Sequence, residues 1–402
     1  MLILTADVGF GHRTAAEAIA TAAREMYGDN CQVEVVNPLD DERTPAFLHD
    51  QQSDYDKLVR QLPDVYKFRY RISDAPVPIA ILDSAFTVML YRVVNDVLKR
   101  FQPDVALTTY PFFMAPLSAC FALQEICTPL LTVITDLTHV HQVWFHDGAN
   151  LCLVPSQEAY DQALDYGLEP ERVRVCGIPV HPEFSRQDRE PAEIRTELGW
   201  DANLITALVV GSKRIKNLMS VLNVLNHSGL PLQFILVAGG DEELYQQFQA
   251  TEWHKPTHIY NFIDRMPVFM RAADLIVCKA GGLIVTEAFA SGLPLLIVDV
   301  TPGQEQGNAE YVVRHGAGDY ARTPLEALEV LFHWLDKERS ALLERSRESR
   351  SLGHPKAAFT VAELAYQSTE DDCRHPSSRL LERIPRLQAL LRAFDIPVTE
   401  EN

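Results

Sequence analysis

His12 is the first residue along the chain placed to do chemistry. It lies in LTADVGFGHRTAAEAIATAAREM, which reads as strand, glycine turn and helix. Gly9 and Gly11 give the turn backbone freedom and room for close approach. His12 follows them directly, ahead of an alanine-rich helix. An uncharged imidazole there can take the proton of a hydroxyl; it can equally cap or pack against the helix. Dinucleotide binding fits less well. Its third glycine falls on Thr14, and Asn37 ends the second strand where that fingerprint wants a carboxylate. Asp136, just after the strand Leu130–Thr135, is a second candidate carboxylate, able to orient His12 or an acceptor, or simply to cap a turn.

A second constellation lies between residues 259 and 318. The strand Leu275–Cys278 runs into Gly281 and Gly282 and then a helix beginning near Ile284. Backbone amides at such a helix start suit a diphosphate, and Lys279 adds a cation beside it. Glu287, about one turn into the helix, can accept both hydroxyls of a ribose. The segment PGQEQGNAEY then offers Gln304, Glu305 and Asn308 to sugar hydroxyls. Each residue alone is an ordinary loop or cap residue; the ordered set asks for a nucleotide sugar.

Parallel sheets would hold these residues. Short apolar runs alternate with helical stretches: Leu2–Ala6, Val33–Asn37, Val105–Thr109, Leu130–Thr135, Leu151–Val154, Arg174–Cys176, Ile205–Val210, Gln233–Ala238, Ile259–Phe262, Leu275–Cys278 and Leu295–Val298. That alternation predicts an α/β fold of two Rossmann-like, doubly wound domains facing each other across a cleft. A proline- and charge-rich stretch, 179–203, reads as the linker. The expected domains are 1–185, carrying the acceptor and membrane functions, and 200–360, binding the nucleotide sugar. A helical tail, amphipathic from Ser377 to Phe394, follows over 361–402 and reads as a helix packed on a domain.

The composition narrows the function. Of 402 residues, 47% are hydrophobic and 23% charged, which excludes disorder and coiled coil as overall classes. Asp and Glu outnumber Lys and Arg 55 to 36, for a net charge of −19, which argues against a nucleic-acid partner. Seven scattered cysteines without a CxxC pair suggest neither a disulfide framework nor a zinc site, and fit a reducing cytoplasm. The start of the chain lacks the basic segment of a signal peptide. The long uncharged run Val105–Gln124 is interrupted by Pro111 and Pro116, so it reads as strand, turn and helix and not as a membrane span.

Together the motifs NFIDRM, ADLIVCKAGGLIVTEA, GLPLLI and GAG resemble the donor half of GT-B glycosyltransferases. The group includes the peptidoglycan N-acetylglucosaminyltransferase, processive diacylglycerol glycosyltransferases and monogalactosyldiacylglycerol synthases. PGQEQGN, with YVV and GAG after it, is most similar to the last of these. In the first half, GFGHRTAAEAI, TDLTHVHQVWFHDGANLCLVPS and GLEPERVRVCGIPVHPEF are similar to the same family, so the resemblance covers roughly 1–318.

The resemblance implies an inverting transfer of galactose from UDP-galactose to the hydroxyl of 1,2-diacylglycerol, with UDP-glucose the close alternative. His12 would be the base and Glu287 the ribose ligand. Gln304, Glu305 and Asn308 would contact sugar and diphosphate, and uracil would lie by the backbone of Phe262 and Ile263. No cofactor or metal is implied, in keeping with the absence of a convincing Asp-x-Asp metal motif: Asp40-Asp41 and Asp371-Asp372 are adjacent pairs in polar, loop-like sequence. Trp144 matches a family aromatic, as core or acceptor groove; His141 and His146 read as packed histidines. Two positions depart from the family. The loop VVGSKRIKN is poorer in glycine, where Ser212, Lys213 and Arg214 can compensate with hydroxyl and charge, and Tyr110 stands where relatives often carry histidine. Two rivals stay open: a nucleotide-sugar epimerase, which would convert UDP-sugar without acceptor, and a UDP-sugar-sensing protein, indifferent to loss of His12.

A lipid acceptor requires a membrane-facing patch. Lys57, Arg60, Lys67, Arg69 and Arg71 interleave with Tyr66, Phe68 and Tyr70, ahead of an apolar stretch over 77–90. Such a mixture suits anionic lipids on the cytoplasmic face, as for a peripheral enzyme; it also fits a half-buried strand or a solvated helix face.

Overall fold

A computed structural model describes residues 1–7, 10–45, 48, 76–124, 127–138, 140–186, 189–212, 215–301, 305–370, 378–394 and 396. The chain forms two units: Met1–Pro182 with Lys356–Asn402, and Glu183–Pro355.

The first unit contains strands β1 (Leu2–Leu4), β2 (Glu34–Val36), β3 (Ala106–Thr108), β4 (Leu130–Val133), β5 (Leu151–Val154) and β6 (Val173–Val175). They form one parallel sheet in the order β2-β1-β3-β4-β5-β6. β1, β3 and β4 are fully buried, which requires cover on both faces. One cover is the helix Phe10–Tyr27, whose small side chains (Ala16, Ala20, Ala23) sit in the core beside Ile3 and Leu107. The other is the pair Pro76–Phe101 and Met114–Gln124. Connections leave β1 in both directions, so the switch of strand order falls between β1 and β3. Ligands of such sheets bind beyond the carboxyl ends of the strands at that point.

The second unit contains β7 (Ile205–Val210), β8 (Leu232–Val237), β9 (Thr257–Tyr260), β10 (Leu275–Lys279), β11 (Leu295–Asp299) and β12 (Gly318–Tyr320). Their order is β12-β11-β10-β7-β8-β9, all parallel, with the switch between β7 and β10. All eleven strands expected from the sequence are present, most with slightly different ends. β12 was missed because GDY has no apolar run to betray it; its pairing with β11 supplies the order.

The divisions between units differ from the expected 185, 200 and 360. The stretch read as a linker carries a helix, Pro191–Leu198, that belongs to the second unit. Arg195 anchors it: Nε donates to Ala272 O at 2.7 Å and a terminal nitrogen lies 2.9 Å from Asp274. Its larger apolar residues, Ile194 and Leu198, are widely spaced in a charged run, and Ile194 is buried. The C-terminal part packs on the first unit. Helix Ala357–Gln367 buries Ala358, Val361, Ala362 and Ala365 in the first unit's core, and Tyr366 stacks on Tyr27 at 4.0 Å. In the helix Ser378–Ala393, Leu391 is buried with Leu117 and Phe121. The run Val105–Gln124 is strand, turn and helix as expected. Among the described residues, no helix is long and apolar enough to cross a membrane.

Candidate functional site

In the first unit, three adjacent strands each end in a threonine. Thr5, Thr109 and Thr135 follow β1, β3 and β4, and all three are buried. Thr109 Oγ1 lies 2.8 Å from Thr5 Oγ1 and donates to the backbone oxygen of His12 at 3.0 Å. Thr135 Oγ1 lies 2.7 Å from His12 Nδ1. Backbone and ring of His12 are thus both held at the carboxyl ends of the strands beside the switch point. The Tyr110 ring meets the imidazole edge-on at 5.1 Å, and Trp144 flanks it at 6.0 Å.

Asp136 faces the same histidine electrostatically, but its Oδ2 accepts a hydrogen bond from Trp144 Nε1 at 2.7 Å. Burial lowers the His12 pKa from its ordinary value; the Asp136 charge and a hydrogen bond with the Thr109 backbone oppose that shift. The group is therefore a desolvated imidazole, neutral at physiological pH, with a carboxylate nearby to stabilise the proton it takes up. These are properties of a general base.

Trp144 and Tyr110 are core residues, 1% and 4% exposed. His141 caps the turn that carries Trp144, accepting from Val143 N at 3.2 Å. His146 accepts from Gly148 N at 3.0 Å. A side chain at Gly11 would meet open space, so no close packing demands glycine there. Thr135 and Thr109 were not singled out in the sequence; a hydroxyl after a strand is too common to signal a role. Gly9, Lys67, Arg69, Tyr70 and Arg71 lie outside the described residues.

In the second unit, β10 ends at Lys279 and Gly281 caps the helix Gly282–Ser291. Lys279 Nζ is ion-paired with Glu305 Oε1, and Glu305 Oε2 accepts the Thr301 amide at 2.8 Å. Asn308 Nδ2 donates to Ala280 O at 3.0 Å, tying the start of helix Gln306–Arg314 to the glycine turn. Lys279, Gly281, Glu305 and Asn308 are therefore one cluster beyond β10 and β11. Gly282 opens the helix whose second turn carries Glu287, 8% exposed. Burial raises its pKa from 4.5 to about 8.

The loop after β7 carries Ser212, half-buried. A side chain at Gly211 would strike Leu244 Cδ2 at 2.5 Å, and one at Gly239, where φ is +68°, would strike Gly211 O at 2.6 Å. The two glycines let the loops after β7 and β8 pass each other. Asp299 completes the frame, accepting from Lys216 N at 2.9 Å and Val300 N at 2.8 Å. Phe262, 69% exposed, and Ile263 follow β9 at the sheet's edge. Lys213 and Gln304 lie outside the described residues.

A family model for monogalactosyldiacylglycerol synthase matches residues 12–180, and one for the C-terminal domain of glycosyltransferase family 28 matches 206–361. The chloroplastic monogalactosyldiacylglycerol synthase of Spinacia oleracea is 31% identical over 376 residues, spanning 90% of this chain and 71% of the relative. Monogalactosyldiacylglycerol synthase 2, chloroplastic, of Arabidopsis thaliana is 31% identical over 371 residues, with 90% and 79% covered. Among solved structures, MurG of Acinetobacter baumannii superposes with a TM-score of 0.59 at 18% identity, covering 91% of this chain and 99% of its own. That likeness establishes the fold, two Rossmann-like domains of the GT-B type, as the sequence predicted. The family matches establish the class of enzyme, a UDP-sugar-dependent glycosyltransferase. The chain belongs to the monogalactosyldiacylglycerol synthase family.

Proposed function

We propose that the enzyme moves galactose from UDP-galactose to the hydroxyl of 1,2-diacylglycerol with inversion, giving a β-linked glycolipid. The single observation that carries this reading is the half-buried His12, fixed at the strand ends by Thr109 and Thr135 with Asp136 beside it. A lipid hydroxyl is a poor nucleophile until a base takes its proton. His12 accepts that proton as the hydroxyl oxygen bonds to the anomeric carbon. The bond from that carbon to the diphosphate breaks, and its electron pair leaves with UDP. Attack opposite an α-linked leaving group gives the β product.

The second unit serves the donor. Glu287 holds the ribose, the amides at the start of Gly282–Ser291 and Lys279 balance the diphosphate, and Glu305, Asn308 and Gln304 address the sugar. Ser212 and Lys213 add a hydroxyl and a charge near the phosphates, and Phe262 and Ile263 border the uracil. No metal or other cofactor takes part. The chain works as a peripheral enzyme on an anionic cytoplasmic membrane face. With a net charge of −19, attraction to anionic lipid must be local, and the basic-aromatic stretch around Lys67, Arg69, Tyr70 and Arg71 supplies it.

The test offers purified enzyme UDP-galactose and UDP-glucose separately, with diacylglycerol in anionic liposomes. A β-galactosyl lipid is expected. A glucosyl lipid, or a series of longer glycolipids, moves the assignment to a glucosyltransferase. A bound donor with no lipid product from either sugar sinks the diacylglycerol assignment.

A further inference from the structure

Asp136, the carboxylate nearest in sequence to this strand end, does not hold the ring of His12; its Oδ2 is engaged by Trp144 Nε1. The group in contact with the imidazole is the hydroxyl of Thr135, 2.7 Å from Nδ1 and 7% exposed. A histidine base needs one ring nitrogen protonated and the other free, and the partner of the first decides which. The Thr135 hydroxyl can accept from Nδ1 or donate to it, and the hydrogen bond with the Thr109 backbone calls for a ring N–H; carried on Nδ1, that proton leaves Nε2 as the nitrogen that can receive another.

We propose that Thr135 is a positioning residue: its Oγ1 accepts the Nδ1–H of His12, fixing the neutral tautomer and leaving the Nε2 lone pair for the acceptor hydroxyl. Orientation and charge stabilisation are thereby divided between neighbours. Thr135 sets the tautomer through a neutral contact, and Asp136, held by Trp144, stabilises the imidazolium by charge alone. The groups around the ring are Thr135, Asp136, the Thr109 backbone, Tyr110 and Trp144. This inference rests on the reading of His12 as base only for its kinetic part; the tautomer is a property of the resting protein.

Thr135→Val keeps the shape of the side chain and removes the hydroxyl; Thr135→Ser keeps the hydroxyl. Nitrogen-15 spectra of histidine-labelled enzyme, assigned with His12→Ala, report which ring nitrogen carries the proton. The wild type is expected to show Nδ1–H, Thr135→Ser the same, and Thr135→Val a mixture of tautomers. In turnover, Thr135→Val is expected to lower kcat at least about tenfold, short of the roughly 10⁴-fold cost of a wrong tautomer in a serine-protease triad. The KM for UDP-sugar should stay put and Thr135→Ser should restore most of the rate. An Nε2–H tautomer in the wild type overturns the proposal, as does Thr135→Val with unchanged spectrum and kcat, or Thr135→Ser as slow as Thr135→Val. Should His12→Ala retain full activity while the spectra behave as expected, the base reading fails and the Thr135 contact stands.

Discussion

Glu305 grips the Lys279 ammonium with one carboxylate oxygen and the Thr301 amide with the other. The cation expected to face the diphosphate is therefore already partnered, at side-chain exposures of 18% and 10%. A donor diphosphate entering here shares Lys279 with Glu305 or displaces it. Removing one member of such a pair strands the other charge in a poorly solvated place. Lys279→Met is expected to destabilise the second unit by about 3 kcal/mol, and the double change Lys279→Met with Glu305→Leu by clearly less. Chemical denaturation of the four proteins gives the cycle. Additive losses would show that the two side chains are not coupled.

Glu287 carries a pH dependence of opposite sign for stability and for binding. Its pKa stands at about 8 in the fold against 4.5 when solvated. Between those values the folded state holds a proton that the unfolded chain gives up, so this group's contribution to stability is complete below 4.5 and is lost as pH rises through 8. The ribose reading runs the other way. A carboxylate accepts two hydroxyls through charge-assisted hydrogen bonds stronger than those of the neutral acid, so UDP affinity should rise from pH 6 to pH 8 with release of a proton. Glu287→Gln is expected to flatten both trends and to weaken UDP at pH 8. Calorimetry in buffers of different ionisation heat counts the proton; a count of zero at pH 6.5 contradicts the ribose role.

Much of this was legible in the sequence because the signals were local. Apolar runs between helical patterns give two parallel sheets directly, and the glycines after a strand mark the turn into the next helix. What stayed hidden depends on long-range pairing. β12 exists through its ladder with β11, and helix Pro191–Leu198 through Arg195 reaching Ala272 and Asp274. At the candidate sites, residue types drew attention to His12, Glu287 and Glu305. Their partners did not announce themselves: Thr135 on the imidazole, Trp144 on Asp136, and Glu305 already on Lys279 are contacts across strand ends, and spacing along the chain carries no trace of them.

If amide groups and Lys279 handle the leaving diphosphate, a divalent ion has no task in the chemical step. Transfer in the presence of EDTA is expected to proceed at the untreated rate, provided the liposomes carry enough anionic lipid to recruit the protein without divalent bridging. A loss of activity that Mg²⁺ or Mn²⁺ restores, with binding to vesicles unchanged, would assign the diphosphate to a metal instead.

The histidine makes the sharpest kinetic prediction. Burial holds the His12 pKa below its ordinary value, and Asp136 pulls it back up. Activity should fall on the acid side as the imidazole becomes protonated and can no longer accept the lipid's proton. Asp136→Asn removes the opposing charge, so the pKa drops further and the acid limb of kcat moves to lower pH. The plateau rate should fall as well, because the imidazolium formed in the transition state loses its stabilising neighbour. His12→Ala should cost about 10²- to 10⁴-fold in kcat with UDP binding intact. The two effects of Asp136→Asn are separable in one pH series: a lower plateau with an unmoved limb would mean that Asp136 serves the acceptor, and a limb moved toward higher pH would reverse the sign of its interaction with His12.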